Sequence, residues 1–463
     1  MVHEWADHQV FNLDDGAILY DVDLASLFRI DASIQAVLQR WSCQPRVDLN
    51  EVAPPDRAVL EDLRDLRLLV PAGSAKVWPP LRCDPTEIPL STMVLEVAQD
   101  CNLRCTYCYA AGGAYGGPAR LLDVETARRA ARYLVEKSGD NQALTLVLFG
   151  GEPLLNMPAV KAAVEEAEEK AAALGKKLLV SLTTNGTLLD AEILGFLRQH
   201  RVVVSVSLDG PAELHDANRP DAAGRGSYSR ILARLGGLLE NSNAAVAARV
   251  TLTPAQWSRC EEVFDHLIGL GFHEVGIAPA SPISKNLLPD IQQEQVLLES
   301  LASMARRFSR LAKEGRILPF SNLVELLSRL HMGQTKAIAC GAGYGYLAVD
   351  AGGEFYPCHR LAGEKGFAVG TLATGVDADR VRSSLAQLTT GKDKMCQSCW
   401  ARSLCAGGCH YENHLRENTL GIPPGSSCDF IRRWLQIGIE LYAELRHAGA
   451  DGLLAKLEKR NTC

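Results

Sequence analysis

Between about residue 90 and residue 320, apolar strand-like runs recur, and each ends in glycine or polar side chains. Residues 93–97 lead into a cysteine-bearing loop, and 144–149 stop at Gly150-Gly151-Glu152-Pro153. Residues 177–182 end at Thr183-Thr184-Asn185-Gly186, and 202–206 end at Ser207-Leu208-Asp209-Gly210. Runs at 245–252 and 274–278 complete the set, with helix-periodic segments such as 124–136 and 160–173 between them. Strands alternating with helices pack as a parallel sheet, because each right-handed crossover returns the chain to the same side. Six such units predict an α/β fold, a partial (β/α)6 barrel. Barrel chemistry sits at the carboxyl ends of the strands, where all of these polar motifs fall.

The chain of 463 residues has room for two to three domains and a large core. A net charge of −7 with no long basic run points away from nucleic acid. No apolar run reaches the roughly 18 residues of a membrane span. The opening Met1-Val2-His3-Glu4-Trp5 lacks the basic end and apolar core of a signal peptide. The 14 cysteines are clustered, unlike a disulfide scaffold. A reducing, cytoplasmic, metal-loaded protein is expected, with neither membrane nor nucleic acid as partner.

The first cluster is Cys101-Asn102-Leu103-Arg104-Cys105-Thr106-Tyr107-Cys108. Its CxxxCxxC spacing lets three thiolates point inward from one tight loop. Structural zinc takes four ligands, usually from two paired halves, and no fourth lies nearby. Three thiolates suit a [4Fe-4S] cluster with one iron left open. With an aromatic residue before the last cysteine, the motif resembles that of radical S-adenosylmethionine (SAM) enzymes. The resemblance implies that the open iron chelates SAM and that an electron cleaves it to a 5′-deoxyadenosyl radical. Gly150, Gly151, Glu152 and Pro153 are then similar to the family segment that holds the SAM amino group. Asn185, Ser207 and Asp209, on separate strand ends, suit ribose, carboxylate or substrate, and each is equally suited to capping a helix. Arg249 suits the SAM carboxylate as a bidentate partner. His215-Asp216-Ala217-Asn218-Arg219, beyond the fourth strand, matches a pattern of related enzymes and reads as a loop-ordering element.

Residues 1–85 form a separate unit: alternating strands 9–13 and 17–22 around a turn at Asp14-Asp15-Gly16, a short strand at 27–30, and a helix over 34–41 capped by Asp31. A second helix follows Pro54-Pro55. The pattern resembles small winged-helix domains that recognise precursor peptides, and serves equally well as a structural lead-in to the barrel. Pro79-Pro80 and Cys83-Asp84-Pro85 read as a linker.

After a helical connector the composition changes over residues 335–430. Cys340 and Cys358 flank a hairpin turning at Asp350-Ala351-Gly352-Gly353, and Cys396, Cys399, Cys405, Cys409 and Cys428 follow. Zinc is the ordinary reading of CxxC pairs. The full set resembles the seven-cysteine SPASM extension of radical SAM enzymes, which implies two auxiliary [4Fe-4S] clusters and three in all. By that resemblance Cys340, Cys358 and Cys409 hold one, and Cys396, Cys399, Cys405 and Cys428 the other. Some relatives carry a further cysteine just before the position of Cys340. Residues 330–339 have none, which leaves an open iron or another ligand such as His331. Cys43, Cys83, Cys260 and Cys463 remain as bystanders. Residues 431–463 are expected to form a C-terminal helix packed back on the barrel.

Relatives with this architecture modify peptides, making thioether or carbon–carbon cross-links or oxidising Cys or Ser to formylglycine. Asp209, His359 and Glu152 are the candidate catalytic bases. His359 stands where sulfatase maturases carry an aspartate. The whole chain is most similar to the family that matures quinohaemoprotein amine dehydrogenase, joining cysteine sulfur to a methylene carbon of Asp or Glu in a small γ subunit. The implied partners are a cysteine-rich precursor peptide or subunit and an electron donor such as flavodoxin or ferredoxin. A formylglycine-forming maturase, another peptide dehydrogenase and a non-catalytic iron–sulfur scaffold are the alternatives.

Overall fold

The computed structural model describes residues 2–13, 16–74, 87–241, 245–389 and 395–458. Asp14 and Asp15 of the expected turn, the linker positions Pro79, Pro80, Cys83, Asp84 and Pro85, and Cys463 lie outside the described residues.

The N-terminal unit contains β1 (Val2–Trp5), β2 (His8–Leu13), β3 (Gly16–Asp21), β4 (Ser26–Ile30), β5 (Val47–Asp48) and β6 (Leu69–Pro71). The expected hairpin is β2–β3, in register from His8↔Asp21 to Leu13↔Gly16, and β4 joins β3 antiparallel. Asp31 caps the helix Ala32–Trp41 by accepting from the Ser33 and Ile34 amides. A small antiparallel sheet, β5-β1-β6, has no counterpart among the sequence expectations. Its strands are too short to show alternation. Along β3 the two-residue period divides the burial. Ala17 and Leu19 face the unit's own core with Val37, Leu38, Leu60 and Leu63. Ile18 and Tyr20 join the main core of the molecule.

The barrel strands are β7 (Thr92–Gln99), β9 (Ala143–Gly150), β10 (Lys177–Thr184), β11 (Val203–Ser207), β12 (Ala247–Leu252) and β13 (Glu274–Pro279). They lie side by side in the order β13-β12-β11-β10-β9-β7, every pair parallel. The six alternating runs thus form one curved sheet with all carboxyl ends on one side. A register shift between Glu96 and Ala98 breaks the β7–β9 ladder just before the cysteine loop. Such a bulge re-aims the chain that follows it. The short β8 (Arg120–Leu121) returns antiparallel on β7.

The cysteine-rich region is not a detached appendage. Its hairpin, β14 (Tyr346–Val349) and β15 (Glu354–Tyr356), continues the barrel sheet, with β14 pairing parallel to β7 from Tyr346↔Thr92 to Val349↔Leu95. Two more short strands, β16 (Gly370–Thr371) and β17 (Gly375–Val376), extend the sheet. The helix Gly425–His447 is continuous, so the division expected at residue 430 falls inside it and Cys428 sits in its first turn. It packs on the helices Ile291–Lys313 and Ser321–His331. Gly438 permits the close approach, since a Cβ there would lie 2.2 Å from Leu326 Cδ2. No described helix is long and apolar enough to cross a membrane.

Polar contacts fix the N-terminal unit to this region. Buried Arg402 pairs with Asp7 at 2.5 Å and Asp23 at 2.7 Å, and Tyr20 Oη lies 2.9 Å from Ser403 Oγ. Trp400 packs edge-on against Phe11 and Tyr20.

Candidate functional site

The carboxyl ends of the barrel strands open into a cavity of about 750 Å3. Cys101, Cys105 and Cys108 line it together with Gly150, Gly151, Asn185, Ser207 and Arg249 of the barrel and Arg360, Cys409 and Glu412 of the cysteine-rich region.

The cysteine loop is strapped down by the segment after β11. Arg104 N donates to Pro220 O at 2.7 Å, and Thr106 N donates to Asn218 O at 2.9 Å. Asp209 ties these pieces together. Its carboxylate accepts from Arg219 Nε at 2.9 Å, from Thr251 N at 3.0 Å and from the Tyr107 hydroxyl. His215, inside the same motif, accepts from Asp209 N at 3.2 Å and meets Ser227 Oγ at 2.9 Å. Burial pulls its imidazole down to about 4, which keeps it neutral. The motif therefore orders the loop, and Asp209 is fully buried and fully engaged.

Glu152 is also fully buried. Oε1 accepts from Leu154 N at 3.0 Å and Thr184 Oγ1 at 2.7 Å, while Oε2 accepts from Asn185 N at 2.7 Å. Burial pushes its carboxyl up to about 7 against these three donors. Glu152 and Pro153 lie behind the cavity wall, and only the two glycines reach it. The close approach that requires glycine here is to the chain itself: a Cβ on Gly150 would fall 2.3 Å from Ala98 O, and one on Gly151 2.2 Å from Asp100 O. The turn thereby clamps the entry to the cysteine loop.

Asn185 serves two roles. Oδ1 accepts from Thr187 N and Oγ1, and Nδ2 donates to Asn102 Oδ1 at 2.8 Å with Cys101 Sγ at 3.7 Å. Ser207 and Arg249 are register partners on β11 and β12 and both reach the cavity. The Arg249 guanidinium lies over Gly276, where a Cβ would come within 2.5 Å of it.

His359 is set back from the cavity. Its Nδ1 is 2.7 Å from Tyr346 Oη, and its ring packs on Phe149. Burial, together with the charge of Arg360, pulls it down to about 3. Arg360 was not singled out by sequence, yet it is sandwiched between the rings of Tyr109 at 4.7 Å and Tyr411 at 4.5 Å. It also lies 3.6 Å from Cys409 Sγ and donates to Ser281 Oγ and Glu412.

The later cysteines fall into two neighbourhoods. Cys340 and Cys409 are close enough to Cys358 to raise its thiol further, after burial, to about 12. Cys399 and Cys405 do the same at Cys428, where burial again dominates. Buried Cys396 joins Cys399 through the turn bond from Cys399 N to Cys396 O. Between Cys405 and Cys409, Ala406, Gly407 and Gly408 all adopt positive φ, which turns the chain from one neighbourhood to the other. That Ala-Gly-Gly run is a legible signal the cysteine spacing alone does not capture. His331 is elsewhere, with Nδ1 3.1 Å from Tyr442 Oη on a second cavity.

Among the described residues no three His, Cys, Asp or Glu side chains converge on a point that would hold a single metal ion. Three thiolates lining one cavity suit a cluster, which spreads them over separate irons. Cys101, raised to about 12 by burial, needs such a metal to exist as thiolate. The donor set and the adjoining cavity fit a [4Fe-4S] cluster with SAM.

Residues 95–278 match the model of the Radical SAM superfamily. A serine-type anaerobic sulfatase-maturating enzyme of Klebsiella aerogenes is 24% identical over 347 residues, spanning 71% of this chain and 82% of the relative. Among solved structures, native anSMEcpe with bound AdoMet superposes with a TM-score of 0.64 at 18% identity, covering 78% of this chain and all (100%) of that one. Streptococcus suis SuiB bound to its precursor peptide SuiA gives 0.53 at 15% identity, covering 92% and 100%. These structural likenesses concern the fold. The matched segment runs from the strand that launches the cysteine loop to the last barrel strand, and the chain is an enzyme whose barrel matches the radical SAM superfamily.

Proposed function

We propose that this enzyme matures a peptide or small protein subunit by forming intramolecular thioether bonds between cysteine sulfur and a methylene carbon of Asp or Glu, as on the quinohaemoprotein amine dehydrogenase γ subunit. The observation that carries the reading is one cavity lined both by the Cys101 loop and by Cys409, Arg360 and Glu412. A substrate bound in it has access to cysteines of both sets. When bound, the cluster and SAM supply a 5′-deoxyadenosyl radical that removes a hydrogen atom from a substrate carbon. Cys101, Cys105 and Cys108 are assigned to that cluster, and Ser207 and Arg249 to the SAM carboxylate. The neighbourhoods Cys340–Cys358–Cys409 and Cys396–Cys399–Cys405–Cys428 are assigned to two auxiliary [4Fe-4S] clusters. An electron donor such as flavodoxin or ferredoxin completes the system.

The N-terminal unit is assigned to peptide recognition. The edge strand β4 borders a cavity of about 630 Å3 whose far side is formed by the helix ends bearing His331 and Arg446. An extended peptide adds to an exposed strand edge by main-chain bonding. The relatives also act on peptides or proteins by their names, whether sulfatases or the peptide SuiA. The Klebsiella relative favours a second reading, oxidation of Cys or Ser to formylglycine.

Mass spectrometry separates the two. Reconstituted enzyme, SAM, a reductant and a cysteine-rich γ-type subunit are incubated without oxygen. The expected product has lost two hydrogens per cross-link, with fragmentation blocked between a cysteine and an acidic residue. Formylglycine formation is identified instead by an aldehyde, with sulfur replaced by oxygen at a cysteine or two hydrogens lost at a serine, and with no link to a second residue.

A further inference from the structure

A substrate cysteine must lose its thiol proton before its sulfur can bond to carbon, and a thiol drawn out of water resists ionising. The cavity therefore needs a proton acceptor on its wall. Asp209 and Glu152 do not qualify: both are fully buried with their oxygens occupied by donors, and neither lines the cavity. His359 does not line it either, and its Nδ1 is already paired with Tyr346.

Two carboxylates do face the cavity, Glu294 and Glu412. They differ in how they are held. Glu412, on the helix His410–Glu417, has Oε1 anchored by Ser281 Oγ at 2.6 Å and Arg360 at 3.2 Å. Those donors fix the plane of the carboxylate, and Oε2 has no partner among the described residues. Arg360 is itself clamped between Tyr109 and Tyr411. No bond anchors the Glu294 side chain among the described residues. Glu412 also lines the cavity together with Cys409. The sequence does not announce it, because it looks like an ordinary polar residue of a short helix.

We propose that Glu412 is the base that takes the proton from the substrate cysteine. The substrate S–H bond breaks, its electron pair stays on sulfur, and an O–H bond forms on Oε2. No electron is exchanged in this step. The proposal rests on the reading of the enzyme as a thioether-forming peptide maturase.

The test uses reconstituted holoenzyme with SAM, dithionite and the cysteine-rich γ-type subunit, comparing wild type with Glu412→Gln and Glu412→Asp. Three quantities are read: iron and sulfide content, 5′-deoxyadenosine formed, and cross-links formed per 5′-deoxyadenosine. Glu412→Gln should keep its iron and cleave SAM within about twofold of wild type. Its cross-links per 5′-deoxyadenosine should fall about a hundredfold, the usual scale of a lost general base. Glu412→Asp should recover part of that ratio. An unchanged ratio in Glu412→Gln overturns the proposal, and so does a variant that loses iron or SAM cleavage, which would make the residue structural. A wild-type enzyme that cleaves SAM but leaves the subunit unmodified overturns the underlying reading, and the proposal with it.

Discussion

At Glu152, two demands meet on one carboxylate. Three donors hold it, two of them backbone amides and one the Thr184 hydroxyl, while burial raises its pKa from 4.5 to about 7. The sign follows from proton counting. Between those values the folded chain keeps a proton that the unfolded chain has released, so this group's contribution to stability falls as pH rises through that window. The full loss is on the order of 3 kcal/mol. Glu152→Gln should remove the slope while turning an amide N–H against Asn185 N. Denaturant unfolding at pH 5 and pH 8 should therefore show wild type with the larger advantage at pH 5. A constant difference would locate the slope in other groups. From sequence, Glu152 was recognisable as an important residue. That it binds its own strand ends, behind the cavity wall, was not, because three partners come from residues 154, 184 and 185.

Among the elements, the six barrel strands were legible because each combines an apolar run with a polar stop, a purely local signature. The parallel pairing of β14 with β7 was not, since its partners lie about 250 residues apart and neither strand advertises the other. Glu412 and Arg360 were hidden for the same reason: their roles come from Ser281, Tyr109 and Cys409, brought close only by the fold. The cysteine groups were visible from spacing and resemblance, whereas the Asp209 hub required the strap from residue 218 to the cysteine loop. Arg402 joins elements in the same way, between β2–β4 flanks and the second cysteine neighbourhood. Arg402→Ala leaves the Asp7 and Asp23 carboxylates without their shared counter-charge. The expected cost is about 2 kcal/mol, discounted because Asp7 is largely exposed. Thermal unfolding measures it, and peptide affinity measured alongside should fall if the N-terminal unit reads the substrate.

At the scale of the whole molecule, the Cys101 loop and Cys409 line one cavity, and a third cysteine neighbourhood lies beside Trp400, which packs on the N-terminal unit. Damage to the third should therefore spare the first. Cys399→Ala is expected to lower iron content by about one cluster while 5′-deoxyadenosine formation persists and cross-linking declines. Unchanged iron would remove Cys399 from the ligand set.

The pairing of β14 with β7 also sets an order in time. β7 launches the radical-generating loop, yet its edge from Thr92 to Leu95 stays bare until the chain has been made as far as Tyr346. During synthesis that edge offers unpaired amides to any neighbouring strand. Contacts this remote in sequence form slowly. Ribosomal pausing or truncation before residue 346 would thus leave an aggregation-prone half-barrel, and the hairpin bearing Cys358 works as the late seal that ends the exposure.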